Sequence, residues 1–445
     1  MDAREIKQQA LEHHIFGLAN RQQLQEEGPF IFASAEGITV TDIDGNQYLD
    51  MMSTLTRANS VGYGREEIAR AVYNQLVGMH YAGTVAQVAE PTIQLAAKVA
   101  ELAPGRLTAS FFVSGGSEAV EAAFKLAKQY QYHRNKPRAF KIISRSLAYH
   151  GATMGALAAS DWLGQRHISE PGVPGHTRIP APTCYRCPFG LEYPDCGIKC
   201  ATWLEREIQQ EGPELVAAFI AEPVMQAHGV QVPPPEYFPI IREICDKYEV
   251  LFIADEVITG FGRTGEWFAM NHWDVEPDIM TVAKAMTSGY FPMGAAITRK
   301  EIVDALPAFL HVHTYSGHAA GAAAALANIA IYERENLIAR GKELGQYLLD
   351  ALKPLEQHPI VGQVRGLGMW AAIDFTANKQ TRAPFEDDTV RAVARRVREL
   401  GVLVSPIGTA VEMAPPLTAR KEDVDRLVAA LEQAINDVAR ARNLL

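Results

Sequence analysis

The chain has little of what would commit it to a membrane or a nucleic acid. Its most apolar stretch, Ala319 to Tyr332, is shorter than the roughly 20 residues a bilayer-spanning helix needs. The opening residues, Met1-Asp2-Ala3-Arg4-Glu5-Ile6-Lys7, contain no apolar core of a signal peptide, so a cytoplasmic protein is expected. The formal charge is -10 and no stripe of lysine or arginine stands out, which argues against nucleic acid or an anionic membrane surface as partner. Repeats and low-complexity tracts are missing too, apart from an alanine-rich helix start. What remains is an ordinary globular composition, 48% apolar and 21% charged over 445 residues, enough to bury a large core.

Cysteine is scarce and unevenly spread. Four of the five fall in one Pro/Gly-rich segment, as Cys184-x2-Cys187 followed by Cys196-x3-Cys200. That spacing is compatible with a structural zinc, with disulfides or with unligated thiols. The gap between the pairs is short for zinc ribbons, and no metal is assigned. Cys245 reads as a buried helix residue.

The pattern along the chain is that of an α/β protein. Ile38 to Asp50 alternates apolar and polar residues around Asp44-Gly45, the signature of a hairpin. From Ile68 to Pro307 helical periodicity alternates with short β-rich runs at Ser110–Val113, Lys141–Ser144, Ala218–Ala221, Val250–Ala254, Ile279–Ala283 and Ala295–Thr298. This predicts a mostly parallel central sheet covered by helices on both faces. Helices are expected over Ala319–Glu335, Ile338–Leu355, Asp387–Leu400 and Lys421–Ala441, with a strand near Met369–Phe375. The expected division is residues 1–60 and 329–445 in a smaller α+β domain built from both chain ends, and 61–328 in a large domain.

Chemistry gathers at the ends of the expected strands. Asp255-Glu256-Val257 closes one apolar run and Lys284 follows another, so an acid and an amine meet at the sheet edge where open α/β sheets bind ligands. An aspartate beside a lysine there suits pyridoxal phosphate, the lysine as Schiff-base former and the aspartate paired with the pyridinium nitrogen. A solvated ion pair is the plainer reading of those two residues alone. Phe112-Val113 runs into Ser114-Gly115-Gly116-Ser117 and then a helix over Ala119–Tyr132, an arrangement that aims free N–H groups and a helix dipole at one anion. This turn lacks the lysine of a triphosphate loop and the dinucleotide glycine pattern. Tyr149, in Ala148-Tyr149-His150-Gly151, would lie flat on a ring, and Glu222 closes a further strand.

Together these pieces resemble the class III aminotransferases, pyridoxal 5'-phosphate enzymes of fold type I, and most closely the branch that acts on ω-amino acids or amines and pyruvate. The resemblance runs from the Asp44-Gly45 hairpin to Ala414-Pro415-Pro416-Leu417. Its most specific part is Asp255-Glu256-Val257-Ile258-Thr259-Gly260-Phe261-Gly262-Arg263-Thr264-Gly265 followed by Lys284. The resemblance implies a ping-pong transaminase in which Lys284 carries the cofactor and shuttles a proton while Asp255 keeps the pyridine nitrogen protonated. It also implies that Val257 and Tyr149 sandwich the ring, that Gly115, Gly116 and Ser117 hold the phosphate, and that Glu222 stands near the cofactor. Thr314 would complete the phosphate site from the neighbouring subunit of a homodimer or dimer of dimers. An amino-acid racemase, epimerase or decarboxylase shares Lys284 and Asp255. A non-catalytic vitamin B6-binding protein would not need them all.

Two departures bear on the substrate. Where relatives using 2-oxoglutarate place a carboxylate-clamping arginine, this chain has Glu412, and Ser405 falls where the amine:pyruvate branch has its flipping arginine. Arg57 stands where that branch has a pocket tryptophan. It either receives a carboxylate or sulfonate or pairs with Glu412 in the pocket wall.

Overall fold

The computed structural model describes residues 2–161 and 166–444; Met1, the first residue of the N-terminal stretch read above, lies outside them. Three strands open the fold: β1 (Phe32–Glu36), β2 (Thr39–Asp42) and β3 (Gln47–Asp50). β2 and β3 pair antiparallel, and Asp42 closes their turn by accepting from the N–H groups of Asp44 and Asn46 at 3.0 and 2.8 Å. The central sheet contains β4 (Leu107–Val113), β5 (Lys141–Arg145), β6 (His176–Ile179), β7 (Val216–Ala221), β8 (Leu251–Asp255), β9 (Ile279–Val282) and β10 (Gly294–Arg299). Their order across the sheet is β4-β10-β9-β8-β7-β5-β6, and only β10 runs against its neighbours. Every residue of β7, β8 and β9 is buried, as expected of strands covered by helices on both faces.

The six expected strands of this sheet are all present, each within a few residues of its expected bounds. β6 is an addition. It is a short edge strand, His-Thr-Arg-Ile, half-buried until its last residue, and so carries neither a continuous apolar run nor a clean alternation. The helix after the glycine turn begins at Gly116 rather than Ala119 and ends at His133, so Ser117 sits in its first turn and Gly115 takes the N-cap. Cys245 is fully buried within the helix Tyr237–Tyr248.

Beyond the central sheet lie β11 (Val361–Gly366), β12 (Ala371–Phe375), β13 (Val402–Leu403), β14 (Ser405–Ile407) and β15 (Ala410–Met413). β13 joins the N-terminal hairpin, pairing parallel with β3 through Val402–Leu49 and Leu403–Asp50, so both chain ends share one sheet. The other four form a sheet in the order β11-β12-β15-β14. Buried Arg263 ties this part to the large sheet's loop, donating to the carbonyls of Met369 at 3.0 Å and Pro415 at 2.5 Å. Among the described residues no helix is long and apolar enough to cross a membrane.

Candidate active site

Strands β4, β5, β7, β8 and β9 end around one cavity of about 140 Å³. Seven residues singled out in the sequence line it: Gly116, Ser117, Tyr149, Glu222, Asp255, Val257 and Lys284. His150, Gly151, Val224 and Ile258 line it as well. The convergence follows from topology. β8 and β9 are adjacent and parallel, with Asp255 opposite Thr281, so Asp255 and Lys284 leave the sheet side by side.

Asp255 is buried and held from three directions. Oδ1 accepts from the Val257 N–H at 3.1 Å and from the Thr281 hydroxyl at 3.0 Å, and Oδ2 lies 2.7 Å from His150 Nδ1. Because a carboxylate only accepts, His150 carries its proton on Nδ1, an assignment made from the network. Its Nε2 has no hydrogen-bond partner among the described residues and stands 3.8 Å from Glu222 Oε2. Glu222 is fixed in turn, accepting from the Tyr149 N–H at 3.0 Å and from Arg145 Nη2 at 3.1 Å. Arg145 is fully buried. His150 directly follows Tyr149 in the run Ala148-Tyr149-His150-Gly151. Thr281 and Arg145 carry no local signal, because their contacts depend on which strands become neighbours.

The opposite side is shaped by close backbone approach. A Cβ on Gly116 would come within 2.8 Å of Val257 Cγ1, and one on Gly151, at φ +127°, within 2.4 Å of Ser117 Oγ. Position 151 therefore needs glycine, and at Gly116 a side chain would force Val257 to shift. Ser117 Oγ accepts from the Ala152 N–H at 3.1 Å, which fixes the hydroxyl beside the start of the 18-residue helix. The N-terminus of that helix opens towards the cavity, a site suited to a phosphate. Gly115, as N-cap, stands just behind this lining.

Lys284 is held with a left-handed φ of 43°, a conformation that costs a non-glycine residue about 1–3 kcal/mol. Burial first, and then the Arg57 charge, push its amine down from 10.5 to about 8 against the opposing pull of Asp255, Glu412 and Glu222. Roughly a tenth of the amine is then neutral at pH 7, far more than for an ordinary lysine, which makes it a usable base or nucleophile.

Arg57 belongs to the tight turn Ser53–Arg57, in which Ser53, Thr54, Leu55 and Arg57 all have positive φ. Buried Asp50 pins this turn by accepting from the N–H groups of Met52 at 3.1 Å and Thr54 at 2.9 Å. Arg57 and Glu412 are both buried and paired, with Nε to Oε1 at 2.7 Å and a second, shorter contact from Nη2 to Oε2. Neither is among the cavity-lining residues above. Thr314 is exposed and lies outside the cavity, its carbonyl accepting from the Tyr81 hydroxyl at 2.8 Å. Ser405 lies at the start of β14.

The cysteine segment stands apart. Cys184, Cys187, Cys196 and Cys200 line one small cavity of about 20 Å³, and all five cysteines are free thiols. Burial and the neighbouring thiols push Cys200 up to about 12. No group of three or more His, Cys, Asp or Glu side chains among the described residues is arranged to hold a metal ion.

A predominantly parallel sheet with one reversed strand, presenting a lysine and an aspartate at adjacent strand ends opposite a helix N-terminus, is the architecture of a fold-type-I transferase. The chain belongs to the class III aminotransferase family, whose pattern matches residues 22–435, and it is a transaminase of that family. It is 38% identical to a putrescine–pyruvate aminotransferase of Pseudomonas aeruginosa over 98% of this chain and 97% of that one. A taurine–pyruvate aminotransferase of Bilophila wadsworthia is 37% identical over 92% of this chain and 93% of its own. Among solved structures, a thermostable (S)-enantioselective omega-transaminase from Thermomicrobium roseum superposes with a TM-score of 0.95 at 39% identity, covering 98% of this chain and 99% of that one.

Proposed function

We propose that this transaminase moves an amino group from an amine or ω-amino acid to a small 2-oxo acid such as pyruvate, with pyridoxal 5'-phosphate held in the cavity described above. The observation that carries the reading is the placement of Lys284 and Asp255 on one cavity wall opposite the N-terminus of helix Gly116–His133. The residues present fit the cofactor. A Cβ would fill the cradle at Gly116, the helix terminus and Ser117 suit its phosphate, and Asp255 is a buried carboxylate for its pyridinium nitrogen. When bound, the cofactor supplies the electron sink that makes a C–H bond next to the amine ionisable.

The protein groups do the rest. Lys284 Nζ, its proton affinity lowered by burial, takes the proton from the donor carbon and returns it. Asp255 supplies a fixed negative charge against the ring nitrogen, and His150, Thr281 and the Val257 N–H stop that carboxylate from turning. Tyr149 and Val257, both in the cavity lining, would pack on the ring faces. Glu222, anchored by Arg145, orients the Tyr149 backbone.

Exposed apolar side chains on the stretch Tyr73 to Ile93 and at Leu310, Val312 and Tyr315 support a homodimer, in which Thr314 would serve the neighbouring subunit's phosphate. The division into residues 1–60 with 329–445 and 61–328, and a cytoplasmic location, belong to the same proposal. The relatives reported above are aminotransferases and give no support to a racemase or decarboxylase. The test is incubation of the holoenzyme with primary amines and pyruvate, following alanine, donor racemisation and CO2 together. Alanine formation is expected. Racemisation or CO2 release without amino transfer would overturn the reading.

A further inference from the structure

The guanidinium of Arg57 has five N–H groups, and every one is spent inside the protein. Nε and Nη2 each donate to an oxygen of Glu412. Nη1 donates to the Leu55 carbonyl at 2.7 Å. The amide oxygen of Gln226, oriented by this network, accepts from Nη1 at 3.0 Å and from Nη2 at 3.1 Å. Glu412 is equally committed, because Oε1 also accepts from the Trp370 indole N–H. Glu412 and Trp370 are fully buried, and Arg57 and Gln226 nearly so.

A substrate anion could reach this guanidinium only by displacing Glu412 or Gln226. Displacing Glu412 would leave a carboxylate buried without its counter-charge, the arrangement a protein tolerates least. The turn Ser53–Arg57, which also packs on the turn that starts at Lys284, is itself locked by Asp50 and by the Ser53 hydroxyl donating to the Ala414 carbonyl at 2.6 Å. Swinging Arg57 out of the pair would therefore require moving a pinned backbone.

We infer that the Arg57–Glu412–Gln226–Trp370 network, whose Ser53–Arg57 turn packs on the turn that starts at Lys284, leaves no guanidinium free to receive a distal anionic group of the donor. The donor class is then aliphatic primary amines and diamines without a distal carboxylate or sulfonate. This rests on the transaminase reading above and narrows it. Arg57 stands neutralised behind the cavity lining, and Glu412 is the residue that makes it so.

The test compares donors of matched length on the holoenzyme with pyruvate: propylamine and 1,3-diaminopropane against β-alanine and taurine. The kcat/KM of the first pair should exceed that of the second at least about tenfold, the factor produced by 1.4 kcal/mol of discrimination. Equal or better turnover of the acid donors would overturn the inference. Failure of all four to yield alanine would instead overturn the transaminase reading on which it rests. Glu412→Gln supplies the second arm, since it removes the counter-charge and keeps the shape. It should shift the ratio towards the acid donors by about tenfold. It should also give measurable calorimetric binding of propanesulfonate, which wild type should not show. An unchanged ratio with no propanesulfonate binding, in a variant whose circular dichroism and Tm show it folded, would show that Glu412 is not what excludes the anion. Should that variant misfold, wild-type binding of propanesulfonate at the level of a good donor still refutes the inference.

Discussion

Around the cavity, each polar lining group reaches its place within a few residues of a strand end, whereas the buried pair behind that lining, Arg57 and Glu412, joins residues 355 positions apart. Asp255, Glu222 and Lys284 are delivered by β8, β7 and β9, whose apolar runs announce themselves in the sequence. Arg57 and Glu412 meet only because the turn Ser53–Arg57 lies against β15, where Ala414 N–H donates to Met51 O at 2.9 Å. The first arrangement is a product of local chain direction and strand adjacency. The second is a long-range ion pair, which the sequence offers as one of two readings of Arg57 and the packing of turn against strand selects.

The sharpest way to break this contrast is at its most local element. Lys284→Ala should lower amino transfer by about 10⁴-fold or more, as loss of both a nucleophile and a proton carrier does. Apo-protein carrying it should form no borohydride-reducible adduct with pyridoxal phosphate by mass spectrometry. A reducible adduct in the variant would mean that another amine is the nucleophile.

Asp255→Asn keeps the hydrogen-bonding shape but removes the charge, and should cost about 10²–10³-fold in single-turnover rate. Near-normal single turnovers would take Asp255 out of the ring-nitrogen role. His150→Ala tests whether the carboxylate must also be held still. Losing a hydrogen bond to a charged group costs about 1.5–3 kcal/mol, or roughly ten- to a hundredfold. His150→Asn, which retains a donor, should recover part of it, and equal losses in both variants would point to packing alone.

The pH response should follow from burial. The Lys284 amine is lowered from 10.5 to about 8, so its neutral form grows as pH rises through about 8. Capture of pyridoxal phosphate by apo-enzyme, followed by absorbance, should speed up through that range and then level. Between about 8 and 10.5 the unfolded chain binds this proton and the folded one does not, so this group's contribution makes the apo-fold more stable as pH rises. Capture that continues to accelerate to pH 10.5 would show that the amine is not depressed. The smallest effect is expected from Gly116→Ala, whose Cβ would press on Val257 Cγ1 and weaken cofactor affinity a few-fold, or about 1 kcal/mol, as modest overpacking does. Equilibrium dialysis of pyridoxal phosphate measures it.

How legible the site was varies residue by residue. The Asp255 to Gly265 motif and Lys284 were readable because each sits directly after a buried strand and the family pattern is specific. His150 stood in plain view beside Tyr149, yet its bond to Asp255 needs β5 and β8 placed around β7. β6 is not legible in the sequence because an edge strand of four residues, three of them half-buried, has no distinctive period. The cysteine segment offered three chemistries by spacing alone. In three dimensions its four thiols share a cavity without forming a disulfide.

By itself the sequence determined the alternation of strands and helices, the parallel sheet, the nucleophile and the acid, because buried strands and glycine turns are written in short-range pattern. Only the tertiary structure decided what Arg57 is for. Whether a guanidinium is free or spent depends on which acceptors surround it, and here these come from residues 55, 226 and 412, which only the packing of turn, loop and strand brings to one point.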